Sequence, residues 1–339
     1  MPLAAIGKLI RAHQLVPALR AKALYKPFYT LTWIAGAKHG GLLDLLHDTP
    51  QSFEQLASRY GTDAKSREAL GAWLLMGVHL KLLRLRNDGY RLRGLMRTLA
   101  RSENDATLAL AQEAATLHHK LIHDTPEQLA HGKLWQLADQ DGELTARSSL
   151  ALEVFQKVVI DRFFPATGAL QLLEIGCGAA VYIRHAATRH AALHALGLEL
   201  QANVADIARA NIRQWGLSDR VTIEVGDIRK RPATSAFDIV TLYNNIYYFP
   251  VAERVALLGH IKGFIKPGGF VLLTTCCQGG SLGMDALNLW GATTAGGGRL
   301  PEVAEMHDQL VAAGFTDIAH QSLVPGDSYH AFRARRPSM

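Results

Sequence analysis

Acidic residues are missing from the first 43 positions of this 339-residue chain, which carry Lys8, Arg11, Arg20, Lys22, Lys26 and Lys38. The other 30 of its 36 basic residues are matched by 30 acidic ones, so the net charge of +6 resides in the N-terminus. An acid-free segment with Ile6, Leu9, Ile10, Leu15, Val16 and Leu19 at near-helical spacing fits a membrane-surface helix or an organelle presequence. It also fits a helix packed on a partner subunit, and this reading is preferred because the apolar stripe runs on into Tyr25–Trp33 with no cleavage-like boundary. Cysteine is scarce too: Cys177, Cys276 and Cys277 offer neither a disulfide framework nor a zinc-ligand spacing, and the cytoplasm is the expected compartment. No apolar run approaches the roughly 18 to 20 residues of a membrane span, since Ala72–Leu83 is cut by His79 and Lys81. Repeats and low-complexity tracts are also lacking. What remains is a composition 48% hydrophobic and 19% charged, which fills a core and excludes a disordered chain, at a length suited to two domains.

The front part reads as helix, turn, helix and hairpin. Leu42–Leu46 ends one helix, Ser52 with Gln55 forms a capping box for a helix over 53–60, and Asp63 opens a longer helix to about Leu83. Leu85, the Asn87-Asp88-Gly89 turn and Tyr90-Arg91-Leu92 then make a small hairpin. The pattern predicts a mainly α winged-helix-like domain over residues 1–110, and with it a rival reading as a regulator that uses a degenerate enzyme domain as ligand sensor. Against nucleic acid as partner stands the would-be recognition helix, whose Leu70, Trp73, Leu74, Leu75, Met76 and Val78 suit burial better than a major groove. Residues 111–165 are expected to be connecting helices, with His118, His119 and His123 among them.

From Gln171 the period changes. Short apolar runs at Leu172–Ile175, Leu193–Leu198, Val221–Val225, Ile239–Tyr243 and Phe270–Thr275 alternate with helical stretches, and two more follow around Thr316–Leu323 and Tyr329–Ala334. This predicts an α/β, Rossmann-like, doubly wound seven-stranded sheet over 166–339, ending in an antiparallel pair. The first strand runs into Glu174-Ile175-Gly176-Cys177-Gly178, a turn that lets a ligand lie against backbone at a helix N-terminus. Where a dinucleotide site would have its third glycine stands Val181, which disfavours a nicotinamide enzyme. The second strand ends at Glu199, where a carboxylate can accept two ribose hydroxyls. The third ends at Gly226-Asp227-Ile228, where a carboxylate and an apolar side chain can hold an adenine.

With Phe237-Asp238-Ile239-Val240, Lys266-Pro267-Gly268-Gly269 and Ala313-Gly314-Phe315 added, residues 171–339 resemble class I S-adenosylmethionine-dependent methyltransferases. With the front half included, the chain resembles the dimeric small-molecule O-methyltransferases of plant and bacterial secondary metabolism. The resemblance implies S-adenosylmethionine as cofactor, no metal, a small-molecule acceptor and a homodimer. It places Glu174, Gly176 and Gly178 at the methionine part of the cofactor, Glu199 with Leu200 at the ribose, Asp227 with Ile228 at the adenine, and Tyr243 and Asn244 beside the methyl group. Ala180 departs from the family, which has a third glycine there.

A second departure concerns chemistry. Where related enzymes supply a histidine after the fourth strand this chain has Ile246-Tyr247-Tyr248-Phe249, and a phenol titrating near 10 is a poor base at neutral pH. Three explanations stay open: an amine, carbon or already acidic phenol acceptor; a base from elsewhere, such as His118, His119 or His123; or lost activity. The candidate catalytic residues are therefore Tyr247, whose ring can form an aromatic wall with Tyr248 and Phe249, and His119. Gly279–Leu300, with Trp290 and three glycines at 296–298, reads as a flexible pocket lid. Adjacent Cys276 and Cys277 invite a soft-ligand reading, but neighbours on a strand point to opposite faces.

Overall fold

The computed structural model describes residues 2–338, and the chain divides into two compact units, 1–119 and 120–339. In the first, helices at Pro2–Arg11 and Leu15–His39 lead to shorter ones at Phe53–Tyr60 and Ala64–His79. The capping box forms as expected: the Gln55 amide donates to Ser52 Oγ at 3.2 Å, and Ser52 N–H donates to Gln55 Oε1 at 2.7 Å. Asp63 caps the next helix by accepting from Lys65 and Ser66 N–H. That helix stops at His79 rather than near Leu83, because Lys81 turns left-handed (φ 62°) and Leu83 already belongs to a strand. Strands β1 (Leu83–Arg86) and β2 (Gly89–Leu92) pair antiparallel as the hairpin. Leu70, Leu74 and Gly77 face inward, and a Cβ on Gly77 would lie 2.4 Å from the Trp33 ring, so this helix spends its apolar face on a core.

The connecting helices expected over residues 111–165 are interrupted. Helices at Asp105–Glu113 and His119–Ala130 are followed by an irregular segment in which Trp135 N–H donates to Thr293 O at 2.9 Å. Gly132 (φ 63°) starts it, and helices resume at Gly142–Ser149 and Glu153–Phe163.

The second unit holds one seven-stranded sheet. Its strands are β3 (Leu170–Ile175), β4 (Leu193–Glu199), β5 (Val221–Val225), β6 (Phe237–Tyr243), β7 (Ile265–Cys276), β8 (Thr316–Ser322) and β9 (Tyr329–Arg335). They lie in the order β5-β4-β3-β6-β7-β9-β8, parallel from β5 to β7 and antiparallel from there on. Alternation along β3 shows why both faces are covered. Leu170 and Leu172 join a core with Ile183, Ala205 and Ile212, while Leu173 and Ile175 join another with Leu257, Leu258 and Leu310. After β3 the chain first builds outward through β4 and β5, then returns to the other side of β3 with β6. That reversal opens a crevice beyond the carboxyl ends of the strands, where such sheets bind ligands.

Candidate active site

Beyond Ile175 the backbone turns left-handed at Gly176 (φ 68°), Gly178 (φ 53°) and Ala180 (φ 63°) before the helix Val181–Arg189 begins. Gly176 N–H donates to Leu198 O at 2.7 Å, tying the turn to β4. A Cβ at Gly176 would meet Asn245 Nδ2 at 2.8 Å, whereas one at Gly178 would meet nothing within 4 Å. Asn245 Nδ2 in turn donates to Ile175 O at 2.6 Å, so the end of β6 supports the loop that follows β3. The buried Glu199 carboxylate accepts from Gly178 N–H at 3.0 Å and from Gln201 N–H at 3.1 Å, which fixes its orientation at the end of β4. At the end of β5, Asp227 accepts from Arg229 N–H, and the Arg229 guanidinium beside it holds its carboxyl below the usual carboxylate range.

These strand ends border one cavity of about 410 Å³. Of the residues the sequence singled out, Gly176, Gly178, Glu199, Leu200, Asp227, Ile228, Tyr243, Asn244 and Tyr247 all line it. Glu174 and His119 do not. Glu174 lies beneath the turn, 2% exposed, and burial pushes its carboxyl well above the ordinary range, with Thr241 opposing. His119 belongs to the first unit, its ring 5.6 Å from that of Phe28. Cys177 packs in the sheet core, its thiol pushed up by burial. Cys276 and Cys277 are both pushed up to about 12 by burial and sit in different clusters, so they do not share a ligand.

The opposite side of the cavity is aromatic. Tyr182 and Tyr243 meet edge to face at 5.3 Å, and the Tyr247 and Tyr248 rings lie 4.8 Å apart. Tyr248 OH donates to Gln140 Oε1 at 3.4 Å, linking the wall to Leu137–Ser149, which also lines the space. The segment expected to be a flexible lid is instead a helix, Leu282–Thr293, with Trp290 wholly buried. Only Thr294–Gly297 after it reaches the cavity. Sequence reasoning missed Arg254, the buried cation that holds this wall: its Nε donates to Phe249 O at 3.1 Å and its Nη2 to Arg299 O at 2.6 Å. Among the described residues, no cluster of three or more His, Cys, Asp or Glu could hold a metal.

The donor set fits an adenosyl sulfonium compound: open backbone at Gly178, a positioned carboxylate at each of the next two strand ends, and Ile228 as an apolar cover. Residues 172–269 match the family model of a methyltransferase domain. Demethylspheroidene O-methyltransferase of Rhodobacter capsulatus is 24% identical over 301 residues, covering 82% of this chain and 72% of that one. Human N-acetylserotonin methyltransferase, solved with S-adenosylmethionine, shares the fold at 17% identity and a TM-score of 0.73, covering 94% of this chain and 98% of the other. So does the N,N-8-amino-8-demethyl-D-riboflavin dimethyltransferase of Streptomyces davawensis, at 22% identity and a TM-score of 0.68, covering 94% and 99%.

Proposed function

We infer that this chain, a class I S-adenosylmethionine-dependent methyltransferase, methylates a small, flat, aromatic or polyketide-like metabolite at nitrogen or at an already acidic oxygen. The observation that carries the reading is the convergence of the ends of β3, β4 and β5 on one cavity, with Gly176 and Gly178, Glu199, and Asp227 with Ile228 in the order that methionine, ribose and adenine require. Held by Gly176, Gly178, Glu199, Asp227 and Ile228, S-adenosylmethionine would supply a methyl group on cationic sulfur to an acceptor lone pair, with the electrons of the carbon–sulfur bond returning to sulfur. The protein's part is to align the two reactants and exclude water, which can account for much of the acceleration. Tyr247, Tyr248 and Phe249 supply a wall against which a planar acceptor can lie. With a phenol at Tyr247 where an imidazole would serve as base, an acceptor that carries its own lone pair at neutral pH fits this site.

Calorimetric titration with S-adenosylmethionine and S-adenosylhomocysteine tests the reading. Glu199→Ala and Asp227→Ala should each weaken binding by roughly ten- to a hundredfold, the range for removing a hydrogen bond to a charged group. Failure of the intact folded chain to bind either compound would overturn it. Because the carboxyl of Asp227 is depressed, its contribution to affinity is present above the ordinary value of 3.8 and is lost only as pH falls through the lowered one. Affinity should therefore stay level across neutral and mildly acid pH.

The same reading makes the first unit a dimerisation domain in a cytoplasmic homodimer. Its support is a run of exposed apolar side chains on the first two helices, including Ile10, Val16, Leu19, Leu24 and Tyr25. Sedimentation equilibrium should give a dimer, and Leu19→Glu with Leu24→Glu a monomer.

A further inference from the structure

Asp227 does not face the cavity alone. Both its carboxylate oxygens are engaged by the next residue but one: Arg229 Nε lies 3.0 Å from Oδ1 and 3.1 Å from Oδ2, and Nη2 lies 2.7 Å from Oδ2. The backbone N–H of Arg229 adds a contact to Oδ1 at 3.0 Å. The same guanidinium carbon stands 5.6 Å from the centre of the Phe249 ring, which belongs to the segment after β6. Asp227, Ile228, Arg229 and Phe249 all line the cavity, so one planar cation joins the carboxylate at the end of β5 to the aromatic wall.

We propose that Arg229 is a wall of the adenine subsite, its guanidinium plane held edge-on by Asp227, backed by Phe249, and offered to the face of the purine. The inference rests on the cofactor reading above and goes beyond it by assigning a residue that neither the glycine turn nor the acidic strand ends reveal. A guanidinium is flat, delocalised and weakly hydrated, so it stacks on aromatic rings. Side-on pairing fixes its rotamer in advance, which spares the entropy of ordering a long side chain on binding. Pairing also positions Asp227: a carboxylate has about four acceptor sites, and the three N–H donors of Arg229, one of them shared between both oxygens, leave about one, which can accept the exocyclic amino group of adenine. Lysine preserves the charge and loses both the plane and the fork, so it separates stacking from simple attraction.

The experiment compares two ligands by calorimetry on the full chain: S-adenosylhomocysteine, and S-ribosylhomocysteine at up to millimolar concentration, which has the same amino acid and sugar without the base. Arg229→Lys should weaken S-adenosylhomocysteine about tenfold and leave S-ribosylhomocysteine within about twofold. Phe249→Ala should reproduce a smaller loss, about threefold, with the same selectivity. The absorbance change of the adenine chromophore near 260 nm on binding should shrink in the lysine variant. Equal weakening of both ligands would make Arg229 merely structural, and undiminished binding by Arg229→Lys would remove it from the subsite. Either result overturns the proposal while leaving the cofactor reading intact. Failure of the unaltered chain to bind S-adenosylhomocysteine would instead overturn both.

Discussion

The two halves of the cavity are built on different principles. On the side assigned above to the cofactor, backbone does most of the positioning: left-handed turns at Gly176 and Gly178 and the N–H groups that orient Glu199 lie within a few residues of a strand end. On the side assigned above to the acceptor, strand ends supply little of the wall beyond Tyr243, the last residue of β6. Tyr247–Phe249, Leu137–Ser149 and Thr294–Gly297 come from distant parts of the chain and are joined across the sequence, by Gly298 N–H donating to Tyr247 O at 2.9 Å, by Tyr248 OH donating to Gln140, and by Arg254, which ties Phe249 to Arg299. A site whose chemistry is shared by many reactions can be fixed by local backbone, while a site that must match one substrate is left to segments that can vary without disturbing the sheet.

Breaking the acceptor side should have the largest effect on stability. Arg254 is completely buried, burial lowers it to about 10, and it remains charged at neutral pH. Arg254→Ala removes two charge-assisted hydrogen bonds and strands the carbonyls of Phe249 and Arg299, at a cost of about 3 kcal/mol. Chemical denaturation should show that loss, and acceptor turnover should fall much further than affinity for S-adenosylhomocysteine. A parallel fall in both would show that the halves are not independent.

Breaking the cofactor side calls for a single methyl group. Gly176→Ala places a Cβ 2.8 Å from Asn245 Nδ2 on a backbone at φ 68°, which should destabilise by about 2 kcal/mol and weaken cofactor binding. Gly178→Ala is the sharper probe, because its Cβ enters open space. It should cost only about 1 kcal/mol of stability and yet weaken binding as strongly. Survival of binding in Gly178→Ala would mean that the cofactor lies elsewhere in the crevice.

The same division decides what the sequence could show. Gly176, Gly178, Glu199 and Asp227 are legible because each sits at a fixed offset from an apolar strand, and three such offsets in order rarely coincide. Asn245 and Arg254 are not, since their roles depend on partners 70 and 45 residues away. The lid expected at Gly279–Leu300 failed for a related reason: its glycines suggested flexibility, but Trp290 finds a buried site and orders the helix before them. His119 suggested chemistry only as a replacement for a missing imidazole, and the chain places it in the other unit.

At the aromatic wall a smaller effect is expected. Tyr247→Ala removes a ring contact with Tyr248 and should lower kcat/KM by about fivefold, or about 1 kcal/mol. Tyr247→Phe keeps the ring and should leave turnover almost unchanged. Loss of turnover in the phenylalanine variant, with cofactor affinity intact, would make the phenol itself part of the proton transfer and overturn the choice of a self-sufficient acceptor.

The smallest effect belongs to Ala180, the third position of the turn after β3. Ala180 adopts a left-handed backbone (φ 63°, ψ 24°) that glycine takes without strain, so Ala180→Gly should gain about 1 kcal/mol there. Its methyl group, however, is wholly buried beside Ile183 and Ala205 in the core against β3. Removing it forfeits about 0.8 kcal/mol of burial, and glycine also has more chain entropy to lose on folding. The terms nearly cancel, and the melting temperature should move by no more than a degree or two. Cofactor affinity is the more telling measurement, because Ala180 is absent from the cavity wall while Gly176 and Gly178 belong to it. An unchanged affinity would show that the third position of the turn serves the helix start alone; a tighter one would show that the alanine methyl holds the whole loop away from the ligand.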